Sequence, residues 1–398
     1  MDGLHLVYAA CGTLAVVLAL LNREIHQLPL SEPLIALLLG IALGPQLFGV
    51  LEISDHMRDQ LLLEGSRLLL AGSVMAAALR FAASDLRPLI GPVILLLVVV
   101  MPLAALASAA VALVLGLPLA LAVLVGACLC PTDPVLAASV VSGGPAQRDL
   151  PARLRQLLTA ESGANDGLAL PLVGSAIAVV LTSSGPGAVA VRLAWEVLGG
   201  TLIGASAGAL AGLVLRAAVR EQDLDKGAEL VFTLLLAVAV LGVARLVATG
   251  GVLAVFVAGL AYNRAIGPGE RGQQAGIDEA VNRYAVLPLF VVLGAVLPWA
   301  EWAAFGPAAL AFIAGVLLVR RLPLILLLRR PLGLDGREAP FVGWFGPMGV
   351  SAVFYLAHSL HEGVTDPRLF AAGTLAVAAS VVAFGLTATA GRKAFGGC

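Results

Sequence analysis

The stretch Ala127-Cys128-Leu129-Cys130-Pro131-Thr132-Asp133-Pro134-Val135 sets two prolines and a carboxylate inside a long apolar run. Each proline removes a backbone donor and clashes with the preceding turn. The run therefore predicts a helix that breaks and resumes, leaving amide and carbonyl groups bare, with Asp133 placed to cap the resumed half. Such backbone is tolerated at membrane depth only where protein or a water-filled cavity covers it.

Composition puts this break inside a membrane. Of 398 residues, 60% are hydrophobic and 12% are charged, against about 25% charged in soluble domains. That excludes a water-soluble globular fold, and disorder as well, which needs low hydrophobicity and high charge. A net charge of −1 lacks the basic footprint of a nucleic-acid binder. Cys11, Cys128, Cys130 and Cys398 show no metal or disulfide spacing. The expected class is an all-α polytopic membrane protein, in contact with lipid and with no soluble domain.

Hydropathy and turn residues divide the chain into thirteen spans, at roughly 4–22, 30–49, 61–81, 88–115, 117–141, 153–183, 190–217, 228–247, 249–264, 281–298, 305–328, 341–360 and 368–390. The first reads as a span rather than a signal peptide, because no basic segment precedes it. Most of the 24 basic residues fall after odd-numbered spans, whereas the loops after even-numbered spans hold only Arg58, Arg192 and Arg368. Cytoplasmic loops carry the basic excess, so the N-terminus is expected outside and the C-terminus in the cytoplasm.

Ionisable residues within spans cost roughly 2.5–3.5 kcal/mol each on insertion scales, which makes them functional candidates. Glu196, Glu229 and Arg283 lie near span ends, where they can snorkel, and Glu64 and Arg67 stand three apart, where they can neutralise each other. Span six carries Glu161-Ser162-Gly163-Ala164-Asn165-Asp166. At about 100° per residue, Glu161 shares a face with Asn165 and Ser162 a neighbouring face with Asp166. Two such carboxylates in an apolar helix call for a cation, a proton or a partner. Span eleven offers that partner in Arg320 and Arg321, which apolar residues flank on both sides.

A second break is predicted in span twelve, at Gly343-Trp344-Phe345-Gly346-Pro347-Met348-Gly349-Val350-Ser351. Spans five and twelve are seven apart, so they cross in opposite directions. That suits two inverted six-helix repeats whose broken helices meet at the midplane.

Thr132-Asp133-Pro134, followed by Glu161-Ser162-x-x-Asn165-Asp166, resembles the signature of the sodium/proton exchanger family of the monovalent cation/proton antiporters. Thr132 to Gly143 and Gly343 to Val350 are similar to the fungal plasma-membrane alkali-metal-cation/proton antiporters and their bacterial relatives. The resemblance implies a homodimer in the plasma (inner) membrane that works by alternating access. It implies a core at roughly 88–183 and 305–390, a dimerisation scaffold at roughly 4–81 and 228–298, and a linking helix at 190–217. Asp166 would bind cation and proton in turn, with Thr132 and Ser162 as ligand oxygens. Asp133 would balance a helix N-terminus at the breaks formed by Pro131, Pro134, Gly346, Pro347 and Gly349. Glu161 and Asn165 would brace the core through a span-eleven arginine. The pattern Arg-x-Leu-x-Leu favours Arg320 over Arg321 for that role. Many members of the family carry a basic residue in the second break, where this chain has Met348.

The expected function is antiport of Na⁺, Li⁺ or K⁺ against protons, with no cofactor and no enzymatic step. Asn165, standing where some relatives have a second aspartate, points to one-for-one, electroneutral exchange. The competing readings are a cation channel and a sodium-coupled organic-anion symporter. An intramembrane aspartyl protease using Asp133 and Asp166 lacks the Tyr-Asp and Gly-x-Gly-Asp contexts.

Overall fold

The computed structural model describes residues 2–20, 30–80, 82–181, 185–221, 226–266 and 268–396. The fold is all helical, with no strand among the described residues. The first helices are α1 (Asp2–Leu20), α2 (Glu32–Leu43), α3 (Asp55–Leu79) and α4 (Arg87–Leu115), the last with one π turn at Leu96–Val100. Each expected span holds a helix or a broken pair. Among the described residues, seven helices are long and apolar enough to cross a membrane, and five shorter helices are apolar.

Span five is α5 (Leu119–Leu129) and α6 (Pro134–Val141). Proline is well tolerated at the first helical position because its missing N–H would be unbonded there anyway. A short α7 (Gly143–Asp149) then leads to α8 (Ala152–Leu181), α9 (Pro186–Glu221), α10 (Lys226–Leu246) and α11 (Gly251–Asn263). The gap between α10 and α11, at residues 247–250, falls where spans 228–247 and 249–264 divide. Next come α12 (Pro268–Ala295), α13 (Trp299–Ala304), α14 (Pro307–Val319) and α15 (Leu322–Leu327). Span twelve is α16 (Glu338–Trp344) and α17 (Val350–His361), and α18 (Pro367–Gly396) ends the fold.

Helices that share lipid gain little from hydrophobicity, so close backbone approach does the packing. A Cβ on Gly208 of α9 would lie 2.1 Å from the Ala258 carbonyl oxygen of α11. Leu198, Leu202, Leu210 and Leu213 on α9 point outward, as on a lipid-facing surface. By contrast α8 is buried without interruption from Glu161 to Gly167. It packs on α3, α5, α6, α11 and α17, so its polar residues face other helices and never lipid.

Candidate functional site

The two breaks meet. The Asp133 amide donates to the Pro347 carbonyl at 2.9 Å, joining one unwound segment to the other. The Asp133 carboxylate then caps two helices at once. Its Oδ1 accepts from the amides of Val135 (2.7 Å) and Leu136 (3.0 Å) at the start of α6. Its Oδ2 accepts from the Ser351 amide at the start of α17, at 3.1 Å. A single negative charge thus faces the positive ends of two half-helices. The close approach requires Gly349, where a Cβ would lie 2.7 Å from Asp133 Oδ2.

The opposite ends of the breaks expose carbonyls, and Arg320 gathers them. Its Nη1 donates to the carbonyls of Leu129 (2.8 Å), Cys130 (3.1 Å) and Pro131 (3.3 Å), and its Nη2 donates to that of Gly346. Arg321 instead meets Glu161 in a two-point contact, with Nη2 to Oε2 at 2.8 Å and Nη1 on Oε1. Its Nε also donates to the Val342 carbonyl at 3.0 Å. The expected pairing of Glu161 with Arg320 is therefore corrected to Arg321. The reason is local: α14 ends at Val319 and α15 begins at Leu322, so the two arginines lie in an interruption and point to different neighbours.

Asn165 also departs from expectation. Its amide nitrogen donates to Thr132 Oγ1 at 2.7 Å, which ties span six to the first break and not to an arginine. The Ser162 hydroxyl donates to the Thr159 carbonyl at 3.3 Å. Asp166 is wholly buried, and among the described residues neither of its carboxylate oxygens has a hydrogen-bond partner. The same is true of Asn165 Oδ1 and of the Ser351 hydroxyl.

Two participants were missed in the sequence. Tyr355 on α17 donates its hydroxyl to the Asp166 carbonyl, and the Ser380 hydroxyl accepts from the Met348 amide at 2.8 Å. A lone tyrosine or serine in an apolar helix carries no signal of its own; only the nearby break hinted at Ser351. Among the charges expected at span ends, Arg283 pairs with Glu32 and Glu196 with Arg192. A partner of opposite charge within reach removes the need to stretch to the interface. Glu64 pairs with Arg67 as expected, and the Glu229 side chain lies outside the described residues.

A cavity of about 510 Å³ lies next to this site. Glu32, Arg283 and Val286 line it from α2 and α12, while Pro134, Leu136 and Arg392 line it from α6 and α18. Its inner end at Pro134 adjoins Asp133.

Comparison with known proteins agrees with this architecture. The chain is 31% identical over 369 residues to Na(+)/H(+) antiporter 2 of Zygosaccharomyces rouxii, covering 88% of this chain and 45% of that protein. It is 30% identical over 370 residues to a Na(+)/H(+) antiporter of Saccharomyces cerevisiae, covering 88% and 37% respectively. The chain thus spans less than half the length of either yeast protein. The fold matches the sodium proton antiporter MjNhaP1 from Methanocaldococcus jannaschii with a TM-score of 0.76 at 19% identity, over 97% of both chains. Residues 13–390 match the sodium/hydrogen exchanger transmembrane family, and it is to that family that the chain belongs.

Proposed function

We propose that the protein exchanges a monovalent alkali cation for a proton, both competing for Asp166. The observation that carries this reading is the Asp166 carboxylate: fully buried, with both oxygens unpartnered among the described residues. An unpaired charge out of water is expensive, so the group holds either a proton or a cation. Na⁺, Li⁺ and K⁺ are hard cations that take several oxygen ligands, which Thr132 and Ser162 supply beside Asp166. Competition for one carboxylate couples the two fluxes, and one cation moves for one proton.

Access follows from the cavity. Its lining comes both from the proposed scaffold, roughly 4–81 and 228–298, and from the proposed core, roughly 88–183 and 305–390, which 190–217 would link. Movement of the core against the scaffold would close this mouth and open the other. Asp133 and Arg320 keep the crossing of the breaks charge-balanced during that movement, while Glu161 and Arg321 clamp span six to span eleven. The protein works as a homodimer in the plasma (inner) membrane, N-terminus outside and C-terminus in the cytoplasm.

The test is proton flux in proteoliposomes, followed with a pH-sensitive dye, on adding Na⁺, Li⁺ or K⁺. Wild type should move protons in response to at least one of them, and Asp166→Asn to none. Absence of any proton response from folded wild type would remove the reading. Cation flux without protons would mean a channel.

A further inference from the structure

The antiport reading draws its side-chain oxygens from the first break and span six. We propose that Ser351 of the second break is a further cation ligand, so that the transported ion is held from both broken helices at once. This rests on the antiport reading and adds a residue to it.

Serine hydroxyls in apolar helices ordinarily donate back to the carbonyl three or four residues earlier. Ser359 does so on the same helix, to the Tyr355 carbonyl at 2.7 Å. Ser66 and Ser142 do so on theirs. Ser351 does not. The carbonyl four residues back is that of Pro347, which lies in the break and accepts the Asp133 amide at 2.9 Å. The Ser351 hydroxyl is fully buried and bonds to no backbone carbonyl, which leaves it to the Asp166 carboxylate beside it.

The orientation is fixed twice. The Ser351 amide is held by Asp133 Oδ2 at 3.1 Å. One turn further, on the same face of α17, Tyr355 holds the Asp166 carbonyl. The face carrying Ser351 therefore lies against residue 166, and its hydroxyl stands beside the Asp166 carboxylate. Two buried oxygen-bearing groups meet here, the Asp166 carboxylate and Ser351 Oγ, and neither is bound to backbone. A hard cation between them would satisfy both. It would also make binding sensitive to the spacing of the two breaks.

The experiment measures cation-dependent proton flux in proteoliposomes for wild type, Ser351→Ala, Ser351→Thr and Ser351→Cys with Na⁺, Li⁺ and K⁺. Loss of one ligand to a charged group should raise KM for the transported cation about tenfold in the Ala variant. The Cys variant should do the same, because a thiol is a poor ligand for a hard cation. Thr should keep a KM near wild type. Stabilisation of the purified protein against heat by the same cation should shift to higher concentration in parallel. An unchanged KM in Ala, or in Cys if Ala does not fold, would overturn the assignment of Ser351 while leaving antiport intact. Inactive wild type would instead overturn the antiport reading.

Discussion

Arg321 and Glu161, 160 residues apart in the chain, meet through a two-point guanidinium–carboxylate contact in which both side chains are nearly without solvent exposure. Removing one partner leaves the other charge buried and unpaired, which typically costs about 3–5 kcal/mol. Glu161→Gln and Arg321→Gln should each lower the thermal unfolding temperature sharply. The double variant should recover part of the loss, since two neutral amides need no counter-charge. Strict additivity of the two losses would contradict a direct pair.

Arg320 should behave as an independent unit. It serves carbonyls from both breaks, and an ammonium group cannot reproduce that planar fork of donors. Arg320→Lys should therefore lower stability and transport, and Arg320→Met should do so more severely. Adding Glu161→Gln should give no rescue of either variant, in contrast to its effect on Arg321→Gln. Unfolding temperatures of the four combinations decide the matter.

How far the sequence reached can be read from these same residues. Pro131, Pro134 and Gly346-Pro347 announce their breaks because proline and glycine act locally, through a missing donor and a missing side chain. Glu161 to Asp166 stand out because charges in apolar helices are rare. The Arg-x-Leu-x-Leu pattern points to Arg320 as the partner of Glu161, but a sequence pattern does not say which way either arginine turns, and Arg320-Arg321 occupy the gap between α14 and α15. The resemblance ties Asn165 to an arginine, yet its amide bonds an unwound residue, Thr132, on another span. Tyr355 was illegible for a different reason: its role exists only once α17 lies across α8.

In the proposed orientation the cavity opens Ala138 to the cytoplasmic side. Ala138 lines it on α6 together with Ser142, whereas Cys11, Cys128 and Cys130 are buried. In a Cys398→Ser background, Ala138→Cys should react with a membrane-impermeant thiol reagent added from the cytoplasmic side and resist the same reagent from outside. Labelling from the outside alone would invert the proposed orientation. Labelling from neither side would mean that the cavity does not conduct water to α6.

The proposed competition at Asp166 fixes the sign of the pH dependence of cation affinity. Where the carboxylate is protonated, a cation must displace the proton, so lowering the pH raises the apparent KM. The rise should approach about tenfold per pH unit once the proton occupies most sites, by simple linkage. Where the carboxylate is ionised, KM should level off, and saturating cation should restore the same maximal rate at every pH in between. Flux in proteoliposomes with equal pH on both sides measures this directly. A KM that stayed constant while the maximal rate changed would place cation and proton on separate groups. Asp166 would then not be shared, whatever its burial suggests.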